Sequence, residues 1–588
     1  MDATAFICDA DGSHICYRAL LVESTLVAVA LSTTLGVVAS GRLALFLPNN
    51  HHAITWIAAA KRAGVVYVAV ASGTASRALA ERLDDSVAAV LVTCESLLEV
   101  ASEARRLTKA TSPAGVLVPP STNAPVDGWQ DSNLVLRDAR MRWRDECPDD
   151  AEPSSSTTLV AALWACAPPR PVDACHPLLL LYTSGSTGRP KGIVHTHGGW
   201  EVGLCVTSRV VLDVRPSRDA LLVVATPGWI TGQAYMIAAA LLMRVPSVLL
   251  EGSPVSPPDR FAATMSRHAI SVIKTGSTML RVLMAAPNAA SMLDAHDLST
   301  LRLGCFCAEP LSPQVHAYAH QHLGAPFINA YWATEHGGII FGRESGRCAS
   351  APRADAHSLP LPWVDPLVMV VGGGAADASG RGWRVAIDGE AGDLVLRGLC
   401  PPYMALTVWS ANGFGAADWC GDAVRWERYF SAEHGRGYVQ GDAVVRHADG
   451  SYSFPGRSDA DYMNVAGHRI GAAEVEGALL LDQQHAGGSC LLDCTVVGLP
   501  DELSGTTPYA FVVVRPRPDS NASGEESSAL DEADERRLCA LVEERLGWAA
   551  VPTRFVVVHA LPKTHSGKYA RALMRAAFSA AADGGASS

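Results

Sequence analysis

The string YTSGSTGRPKGIVHTHGG, from Tyr182 to Gly199, is the stretch of this 588-residue sequence with the clearest capacity for chemistry. It follows the apolar run HPLLLLY and combines glycines, hydroxyl side chains and one lysine. Glycines let backbone amides approach an anion, and hydroxyl and ammonium groups add donors around phosphate oxygens. No Walker A pattern occurs in the chain. The string therefore predicts a different phosphate-binding loop, formed by Thr183, Ser184, Gly185, Ser186, Thr187, Gly188 and Lys191.

The overall charge limits the partners that this loop can serve. The sequence carries 47 Lys and Arg against 59 Asp and Glu, which gives a formal net charge of −12. Such a balance offers no basic surface to nucleic acid or to anionic lipid. We therefore expect small-molecule partners whose phosphates are bound locally, and no nucleic-acid partner.

Cysteine usage and the apolar runs predict a cytoplasmic protein. Fifteen cysteines are scattered without a C-x-x-C pair, which is typical of free thiols in a reducing compartment. The apolar stretch 19–40 contains Glu23 and six hydroxyl residues, too many for the roughly 20 apolar residues of a membrane span. Three aspartates precede Arg18, the first basic residue, which argues against a signal or transit peptide.

The elements that must position the loop alternate along the chain. Before the loop, hydrophobic patterning predicts helices at 17–36, 51–63 and 76–83, and strands at 42–47, 65–70 and 88–93. Strands that alternate with helices are typical of parallel α/β units. After an interruption at PGRSDAD, the sequence predicts helices at 472–481 and 535–545, and strands at 493–498, 508–515 and 553–558. This last part is long enough to form a separate α+β domain.

Four further stretches, in the right order, complete a pattern that resembles the AMP-forming acyl-CoA ligases of the adenylate-forming superfamily. They are YWATEHGG (331–338), YVQGDAV (438–444), GRSDADYMNVAGHRIGAAEVE (456–476) and LPKTHSGKYAR (561–571). Within the superfamily, PGWITGQAY (227–235), LRLGCFCAEPLSP (301–313) and Trp332 resemble acetyl-CoA synthetases and their short-chain relatives. The resemblance covers nearly the whole chain from about Tyr17.

This resemblance implies an α/β fold with two domains. The large N-terminal domain, of mixed sheets flanked by helices, would span 1–457 and bind ATP and the acid. The small, mobile C-terminal α+β domain would span 458–578 and carry the catalytic lysine. A disordered tail is expected at 579–588.

The activity implied by the resemblance has two steps. A carboxylate attacks the α-phosphorus of ATP and expels pyrophosphate, and the thiol of CoA then attacks the mixed anhydride and expels AMP. ATP, CoA and Mg²⁺ are the implied cofactors. The implied catalytic residues are Lys568, Thr334 and Glu335, and Glu335 is also the implied Mg²⁺ ligand.

The resemblance also assigns a nucleotide site. Asp442 would accept hydrogen bonds from both ribose hydroxyls, which one carboxylate can do. Arg457 would lie at the ribose and phosphate side, and Arg469 would reach the α-phosphate. Besides the glycine-rich loop, the implied nucleotide-binding residues are Ala308, Glu309, Pro310, Asn329, Tyr331, Trp332, Ala333, Asp442, Arg457 and Arg469.

The expected size of the acid depends mainly on Trp332. It resembles the tryptophan that closes the pocket floor in acetyl-CoA synthetases, which leaves room for two or three carbons. Ile230, Thr231 and Cys307 would form the other walls, with Cys307 in place of the usual valine. Because a pocket discriminates one methylene by only ~1–3 kcal/mol, acetate with some use of propionate is expected.

Several positions depart from the family pattern. Ala308 replaces the glycine of Gly-Glu-Pro, Asn329 replaces an aspartate, and Gln440 replaces a threonine. Six residues rather than five separate Arg457 from the asparagine of the hinge motif, so either Asp459 or Asp461 could be the hinge aspartate. Two alternatives stay open: a ligase of the same superfamily for propionate, acetoacetate or a larger acid, and a catalytically quiet nucleotide-binding homologue, which the departures motivate.

Overall fold

The computed structural model describes most of the chain. The described residues are 1–109, 112–119, 126–146, 156–183, 191–286, 289–307, 311, 313–343, 357–376, 382–398, 400–410, 421–431, 437–457, 462–465, 468–484, 490–501, 505–515, 530–546, 548–563 and 569–584.

Strands are numbered along the described chain. They are β1 (Thr4–Cys8), β2 (His14–Cys16), β3 (Arg42–Phe46), β4 (Val66–Val70), β5 (Val90–Thr93), β6 (Ala114–Leu117), β7 (Trp129–Asp131), β8 (Pro177–Thr183), β9 (Lys191–Thr196), β10 (Leu221–Val223), β11 (Ser247–Leu249), β12 (Val272–Thr275), β13 (Leu303–Phe306), β14 (Phe327–Asn329), β15 (Phe341–Gly342), β16 (Leu359–Pro360), β17 (Pro366–Ala376), β18 (Gly382–Val385), β19 (Ala391–Leu396), β20 (Thr407–Val408), β21 (Phe430–Ser431), β22 (Gly437–Arg446), β23 (Tyr452–Arg457), β24 (Tyr462–Val465), β25 (His468–Gly471), β26 (Leu491–Asp501), β27 (Gly505–Val514) and β28 (Arg554–Val557).

The α-helices are numbered in the same way. They are α1 (Tyr17–Thr33), α2 (His51–Ala63), α3 (Ser76–Ser86), α4 (Leu98–Leu107), α5 (Ser132–Glu146), α6 (Ser156–Cys166), α7 (His197–Val210), α8 (Ala239–Met243), α9 (Arg260–Arg267), α10 (Ser277–Ala285), α11 (Ala289–Asp294), α12 (Pro313–Leu323), α13 (Ala423–Glu427), α14 (Ala472–Leu479), α15 (Glu532–Leu546) and α16 (Arg571–Gly584). Short 3₁₀ turns occupy Glu95–Leu97, Leu480–Gln484 and Trp548–Ala550, and a π-helix spans Gly232–Ala238.

Two largely parallel sheets form the centre of the large domain. The first has the order β7-β6-β5-β3-β4-β8-β9-β20, with the last two strands antiparallel to their neighbours. The second has the order β2-β1-β11-β10-β12-β13-β14, and only β2 is antiparallel. Helices α1 and α2 and the π-helix contribute to one apolar core with strands of both sheets. The predicted alternation of helices and strands over the first 93 residues is confirmed.

A third sheet in the large domain is antiparallel and carries the nucleotide motif. Its order is β18-β17-β19-β22-β21, with β23 paired to β22. A β15–β16 ribbon lies before it in the chain. The mixed α/β fold class expected from the sequence is confirmed by these three sheets and the separate sheet that follows.

The small-domain sheet has the order β25-β24-β27-β26, with β28 beside β27. Because neighbouring residues of a strand face opposite sides, Val496 packs with α14 and α15 whereas Val497 packs with α16. The first strand of this sheet begins at Tyr462, and the boundary at 457 and 458 stays a prediction. No helix among the described residues combines the length and the apolar character needed to cross a bilayer.

The predicted disordered tail at 579–588 is wrong over its first part. Helix α16 continues to Gly584, so six of those ten residues are helical. The sequence RALMRAAFSAAADG is rich in alanine, the best helix former. Met574 and Phe578 on this helix pack against the sheet, which anchors it.

Candidate active site

The four residues expected to line an acyl pocket come together between the two parallel sheets. Ile230 and Thr231 directly precede the π-helix, Cys307 follows β13, and Trp332 follows β14. The Thr231 hydroxyl lies 3.9 Å from Cys307 Sγ. Ile230, Cys307 and Trp332 belong to one apolar cluster, in which Trp332 is only 6% exposed. These walls meet because the carboxyl ends of neighbouring parallel strands lie along one sheet edge.

Tyr235 fixes the position of the Trp332 indole. The two ring centroids are 5.2 Å apart with an interplanar angle of 87°, an edge-to-face contact that aromatic pairs prefer. The Tyr235 hydroxyl lies 3.0 Å from Thr207 Oγ1 and accepts a hydrogen bond from the Ile339 amide at 3.1 Å. The tryptophan is therefore held on a rigid support rather than on a mobile side chain.

The third sheet brings the expected ribose residues together. The Tyr331 hydroxyl donates to Asp442 Oδ2 at 2.5 Å, and Asp442 lies opposite Arg457 in the β22–β23 register. The Tyr331 ring stacks on Phe454 with centroids 4.2 Å apart. Asn329 ends β14, and its carbonyl accepts a hydrogen bond from the Ser358 hydroxyl. The arrangement presents a carboxylate beside a pair of stacked rings.

Thr334 and Glu335 lie in a turn that buried histidines support. His195 Nε2 donates to the Thr334 carbonyl at 2.8 Å, and His336 Nδ1 accepts from the Ala333 amide at 3.0 Å. Burial lowers the pKa of His195 to about 4 and that of His336 to about 3, so both rings are neutral near pH 7. The turn is thus held by neutral hydrogen bonds.

A glycine lets this turn pass close to its neighbours. Gly337 has a φ of 72°, and a Cβ added there would lie 2.2 Å from the carbonyl oxygen of Tyr403. Only glycine fits both the backbone conformation and the space. The sequence motif T-E-x-G therefore has a local structural reason beside any chemical one.

Glu335 and Lys191 lie on either side of Tyr429. The Tyr429 hydroxyl donates to Glu335 Oε1 at 2.7 Å, and Lys191 Nζ is 5.4 Å from the Tyr429 ring centroid. Glu335 is buried, yet this hydrogen bond uses only part of the acceptor capacity of a carboxylate. Thr183, at the end of β8, is the register partner of Lys191 on β9.

The unusual Gln440 lies beside the aromatic residues Tyr438 and Tyr429. It is buried, and its Oε1 accepts a hydrogen bond from the Tyr438 hydroxyl. Tyr438 stacks parallel to Tyr429 with centroids 5.6 Å apart. Because burial raises the pKa of Tyr438, this phenol stays protonated and remains a donor. The side-chain oxygen of the glutamine that replaces threonine therefore has a hydrogen-bond partner within the protein.

Part of the expected site lies outside the described residues. This holds for the two hinge aspartates and for the following predicted site residues: Ser184, Gly185, Ser186, Thr187, Gly188, Ala308, Glu309, Pro310 and Lys568. Arg457 ends β23, and Arg469 lies on β25 of the small-domain sheet. The arginine side chains also fall outside the described part.

A cleft between the two domains does not coincide with these residues. It has a volume of about 330 Å³ and lies between α10 and the small domain, where Arg281 contacts the Tyr569 ring at 5.1 Å. None of its lining residues is a predicted site residue, so the prediction of an acyl site depends on chemistry and packing and not on cavity size. No group of three or more potential metal ligands occurs among the described residues.

Sequence reasoning missed three residues of this region. Phe454, Tyr235 and the buried Lys274 all contact predicted site residues. A lysine inside the apolar strand sequence Val272–Thr275 is itself an anomaly and could have been noticed. Phe454 on β23 and Tyr235 on the π-helix had no comparable signal, because aromatic side chains are ordinarily core residues.

Comparison with known proteins matches both parts of the chain to one enzyme family. The family model described as AMP-binding enzyme matches residues 1–401, and the one described as AMP-binding enzyme C-terminal domain matches residues 491–568.

Curated relatives named acetyl-coenzyme A synthetase are similar over nearly the full chain. The Pyrobaculum aerophilum protein is 30% identical, covering 96% of this chain and 77% of its own length. The Cupriavidus taiwanensis protein is 31% identical, covering 98% and 81%. The Mycolicibacterium smegmatis protein is 32% identical, covering 96% of this chain but only 55% of its own length.

Solved structures share the fold at lower identity. An anthranilate CoA ligase in complex with anthranoyl-AMP has a TM-score of 0.77 at 22% identity, covering 99% of this chain and 95% of its own. A benzoate CoA ligase from Burkholderia xenovorans has a TM-score of 0.70 at 21% identity, covering 97% and 96%.

Proposed function

Because this chain belongs to the AMP-binding enzyme family, we propose that it is an AMP-forming acid–thiol ligase for a short-chain carboxylate, with acetate as the expected acid. The resemblance found in the sequence is confirmed by the family match and by the acetyl-coenzyme A synthetase relatives. The observation that carries the choice of a short acid is that Ile230, Cys307 and Trp332 share one buried apolar cluster, with the Thr231 hydroxyl beside Cys307.

The reaction proceeds in two displacements. A carboxylate oxygen attacks the α-phosphorus of ATP, and the bond to the β-phosphate oxygen breaks to release pyrophosphate. The sulfur of CoA then attacks the acyl carbonyl carbon, the bond to the AMP oxygen breaks, and the thiol proton goes to solvent. Positioning and charge neutralisation dominate such transfers, so the protein contributes oriented donors.

The nucleotide is held by the Asp442 region. The Tyr331 hydroxyl donates to Oδ2 of Asp442, which orients the carboxylate that is proposed to accept hydrogen bonds from the two ribose hydroxyls. The stacked rings of Tyr331 and Phe454 provide a flat apolar surface beside it. Arg457, opposite Asp442 in the sheet, is proposed to lie on the ribose and phosphate side.

Thr334 and Glu335 act at the phosphates in this proposal. Thr334 contacts the α-phosphate from a turn fixed by His195. The buried carboxylate of Glu335, which accepts one hydrogen bond from Tyr429, fits a single protein ligand to Mg²⁺, an ion that ordinarily keeps water and phosphate oxygens as its other ligands. When bound, Mg²⁺ supplies neutralisation of phosphate charge.

The remaining contacts with the nucleotide and the acid are assigned to other residues of the sequence motifs. Lys191 and the glycine-rich residues 184–188 are proposed to hold the departing phosphates, and Arg469 and the residues 308–310 to complete the nucleotide site. Lys568 is proposed to lie between the incoming carboxylate and the α-phosphate, where negative charge develops. The small domain, 458–578, would bring Lys568 in for adenylation and then help to admit CoA.

A cytoplasmic location fits the proposed reaction. The described cysteines are free thiols, namely the exposed Cys175 and ten buried or half-buried ones. Free thiols persist in reducing compartments, where CoA and ATP are also found.

Exchange of [³²P]pyrophosphate into ATP tests the adenylation step directly. Acetate, propionate, butyrate and acetoacetate are compared, and acetate is expected to support the fastest exchange. Lys568→Ala should lower the exchange by ~10²–10³-fold, as expected for removal of one preorganised donor. Lys109→Ala, which alters an exposed lysine, is the matched control and should leave exchange unchanged. Synthetic acetyl-AMP with CoA should still yield acetyl-CoA in the Lys568 variant.

The alternatives give different results in the same assay. A best rate with propionate or acetoacetate would identify a different short-chain acid. The departures at Ala308, Asn329 and Gln440 motivate the quiet homologue, which would bind ATP in calorimetry without any exchange or AMP release.

A further inference from the structure

Lys274 places a buried ammonium at the acyl site. The residue lies on β12, and its side chain is only 1% exposed. Alternation along the strand turns it to the same face as Val272, toward the layer between the two parallel sheets. Its Nζ lies 4.8 Å from the Tyr235 ring centroid and 5.5 Å from that of Trp332. The ammonium therefore contacts the two rings that form the pocket floor.

No described residue supplies an anion to this ammonium. Among the described residues, the hydrogen-bond partner of Lys274 is Cys305, whose Sγ lies 3.2 Å from Nζ, and no carboxylate pairs with it. Burial raises the pKa of the Cys305 thiol, although Lys274 opposes this shift, so the thiol is neutral near pH 7. Burial likewise raises the pKa of Tyr235 to about 12.

Buried charges in proteins are normally paired or neutralised, because burial of an unpaired ammonium is strongly unfavourable. Cation–π contacts with Tyr235 and Trp332 offset part of this penalty but carry no compensating negative charge. A ligand that brings its own anion to this point would complete the pair. The reacting carboxylate cannot be that anion in the proposed reaction, because it must face the α-phosphate beside Thr334.

We propose that Lys274 recognises a second carboxylate at the far end of the acyl group, so that the preferred substrate is a short dicarboxylic acid. This inference rests on the proposed ligase function and refines its substrate class. Trp332 limits the length of the acid, so the three-carbon dicarboxylate, malonate, is the best matched probe. Acetate fills the same walls without meeting the ammonium.

The position of the ammonium is set before any acid binds. Tyr235 is fixed by hydrogen bonds to Thr207 and to the Ile339 amide, and Lys274 is fixed by Cys305. A site that is built to pair with a polar group rejects analogues that lack it much more strongly than an apolar pocket rejects a methylene. Charge at the far end of the acid should therefore affect substrate selectivity more than the size of the acid does.

The test compares malonate with isovalerate, a neutral-ended acid with the same number of heavy atoms, and with acetate. In the wild-type enzyme, kcat/KM for pyrophosphate exchange with malonate should exceed that with isovalerate by about 100-fold or more. In Lys274→Met, which keeps the length of the side chain without its charge, the malonate-to-acetate ratio should fall by about 100-fold. Lys109→Ala, which removes an exposed lysine outside the site, should retain the malonate preference.

Binding measurements separate this inference from the proposed function. Calorimetry with malonate should detect binding to the wild type and at least tenfold weaker binding to Lys274→Met. If that variant does not fold, the wild-type comparison of malonate with isovalerate decides. If acetate supports exchange but the exchange rate with malonate does not exceed that with isovalerate, the inference is overturned. The proposed ligase function is not affected by that result. A preference for acetoacetate over malonate would also overturn it, whereas no exchange with any acid would overturn the proposed function.

Discussion

Arg571→Met tests how the segment that follows Lys568, the proposed catalytic lysine, is anchored. Arg571 begins α16, three residues after Lys568, and its Nη2 lies 2.7 and 2.9 Å from the two carboxylate oxygens of Glu476 on α14. The Glu476 side chain is 4% exposed. Its Oε1 also accepts from the Thr495 hydroxyl at 2.7 Å and from the Val496 amide at 2.9 Å. One buried carboxylate thus joins α14, β26 and α16.

The size of the effect follows from burial. Removing the arginine leaves a buried carboxylate without its cation, which destabilises by ~3–5 kcal/mol. The matched control is Arg536→Met on α15, whose side chain is 73% exposed and pairs with Glu532 at 3.8 Å. Such an exposed pair contributes only ~0–0.5 kcal/mol. The double variant Glu476→Gln/Arg571→Met should be more stable than Arg571→Met alone, because it no longer buries an unpaired charge.

Native-state hydrogen exchange of the full chain measures these differences locally, through the opening free energies of amides in β26 and α16. Adenylation should also slow in Arg571→Met, because the chain leaving Lys568 loses its anchor, while thioester formation from synthetic acyl-AMP continues. If Arg571→Met changes amide protection no more than Arg536→Met, the ion pair does not anchor the segment. A double variant less stable than Arg571→Met would refute the electrostatic reasoning.

Three further predictions concern the active site. Trp332→Gly should extend the acids accepted in pyrophosphate exchange to five carbons or more, because the indole forms the floor; unchanged chain-length selectivity would contradict this. Tyr331→Phe should raise KM for ATP by ~5–10-fold, since it removes one hydrogen bond to Asp442 worth about 1 kcal/mol; an unchanged KM would contradict the proposed ribose site. His195 and His336 have folded pKa values of about 4 and 3, below the unfolded value of about 6.5, so the unfolded state binds more protons. The free energy of unfolding that these neutral rings contribute is fully present above pH 6.5. It is lost as the pH falls, by ~1.4 kcal/mol per pH unit for each ring. Urea midpoints that stay level from pH 6.5 to 5 would refute this prediction.

The alternating part of the fold could be predicted from the sequence because the signals there are local. Helix α2 was expected at 51–63 and lies at His51–Ala63, between an asparagine cap and a left-handed glycine. Strand β3 was expected at 42–47 and lies at Arg42–Phe46. Caps and hydrophobic period define such elements within a few residues. The order of strands in the sheets depends on long-range pairing, which no local pattern specifies.

The candidate site could be predicted only where motifs carried it. Trp332, Thr231 and Cys307 were expected together from resemblance, and the structure brings them together through the meeting of β13, β14 and the π-helix. Phe454 could not be predicted as the partner of Tyr331, because their stacking depends on how the third sheet packs against the second. The last turns of the terminal helix were missed because residues 579–584, SAAADG, contain no large apolar residue to mark a packed face, although alanine has a high helix propensity.

Lys274 shows why chemical identity and position must be combined. In the sequence it interrupts an apolar strand, which by itself is compatible with an exposed edge or with a strand end. The β12–β13 register sets Lys274 opposite Cys305, and the face of β12 then directs both side chains toward Tyr235 and Trp332. On that face a lysine must be neutral, paired with a protein anion, or paired with a ligand. Since the described neighbours are uncharged near pH 7, the proposal assigns the counter-charge to the ligand, and a neutral lysine would show no difference between malonate and isovalerate.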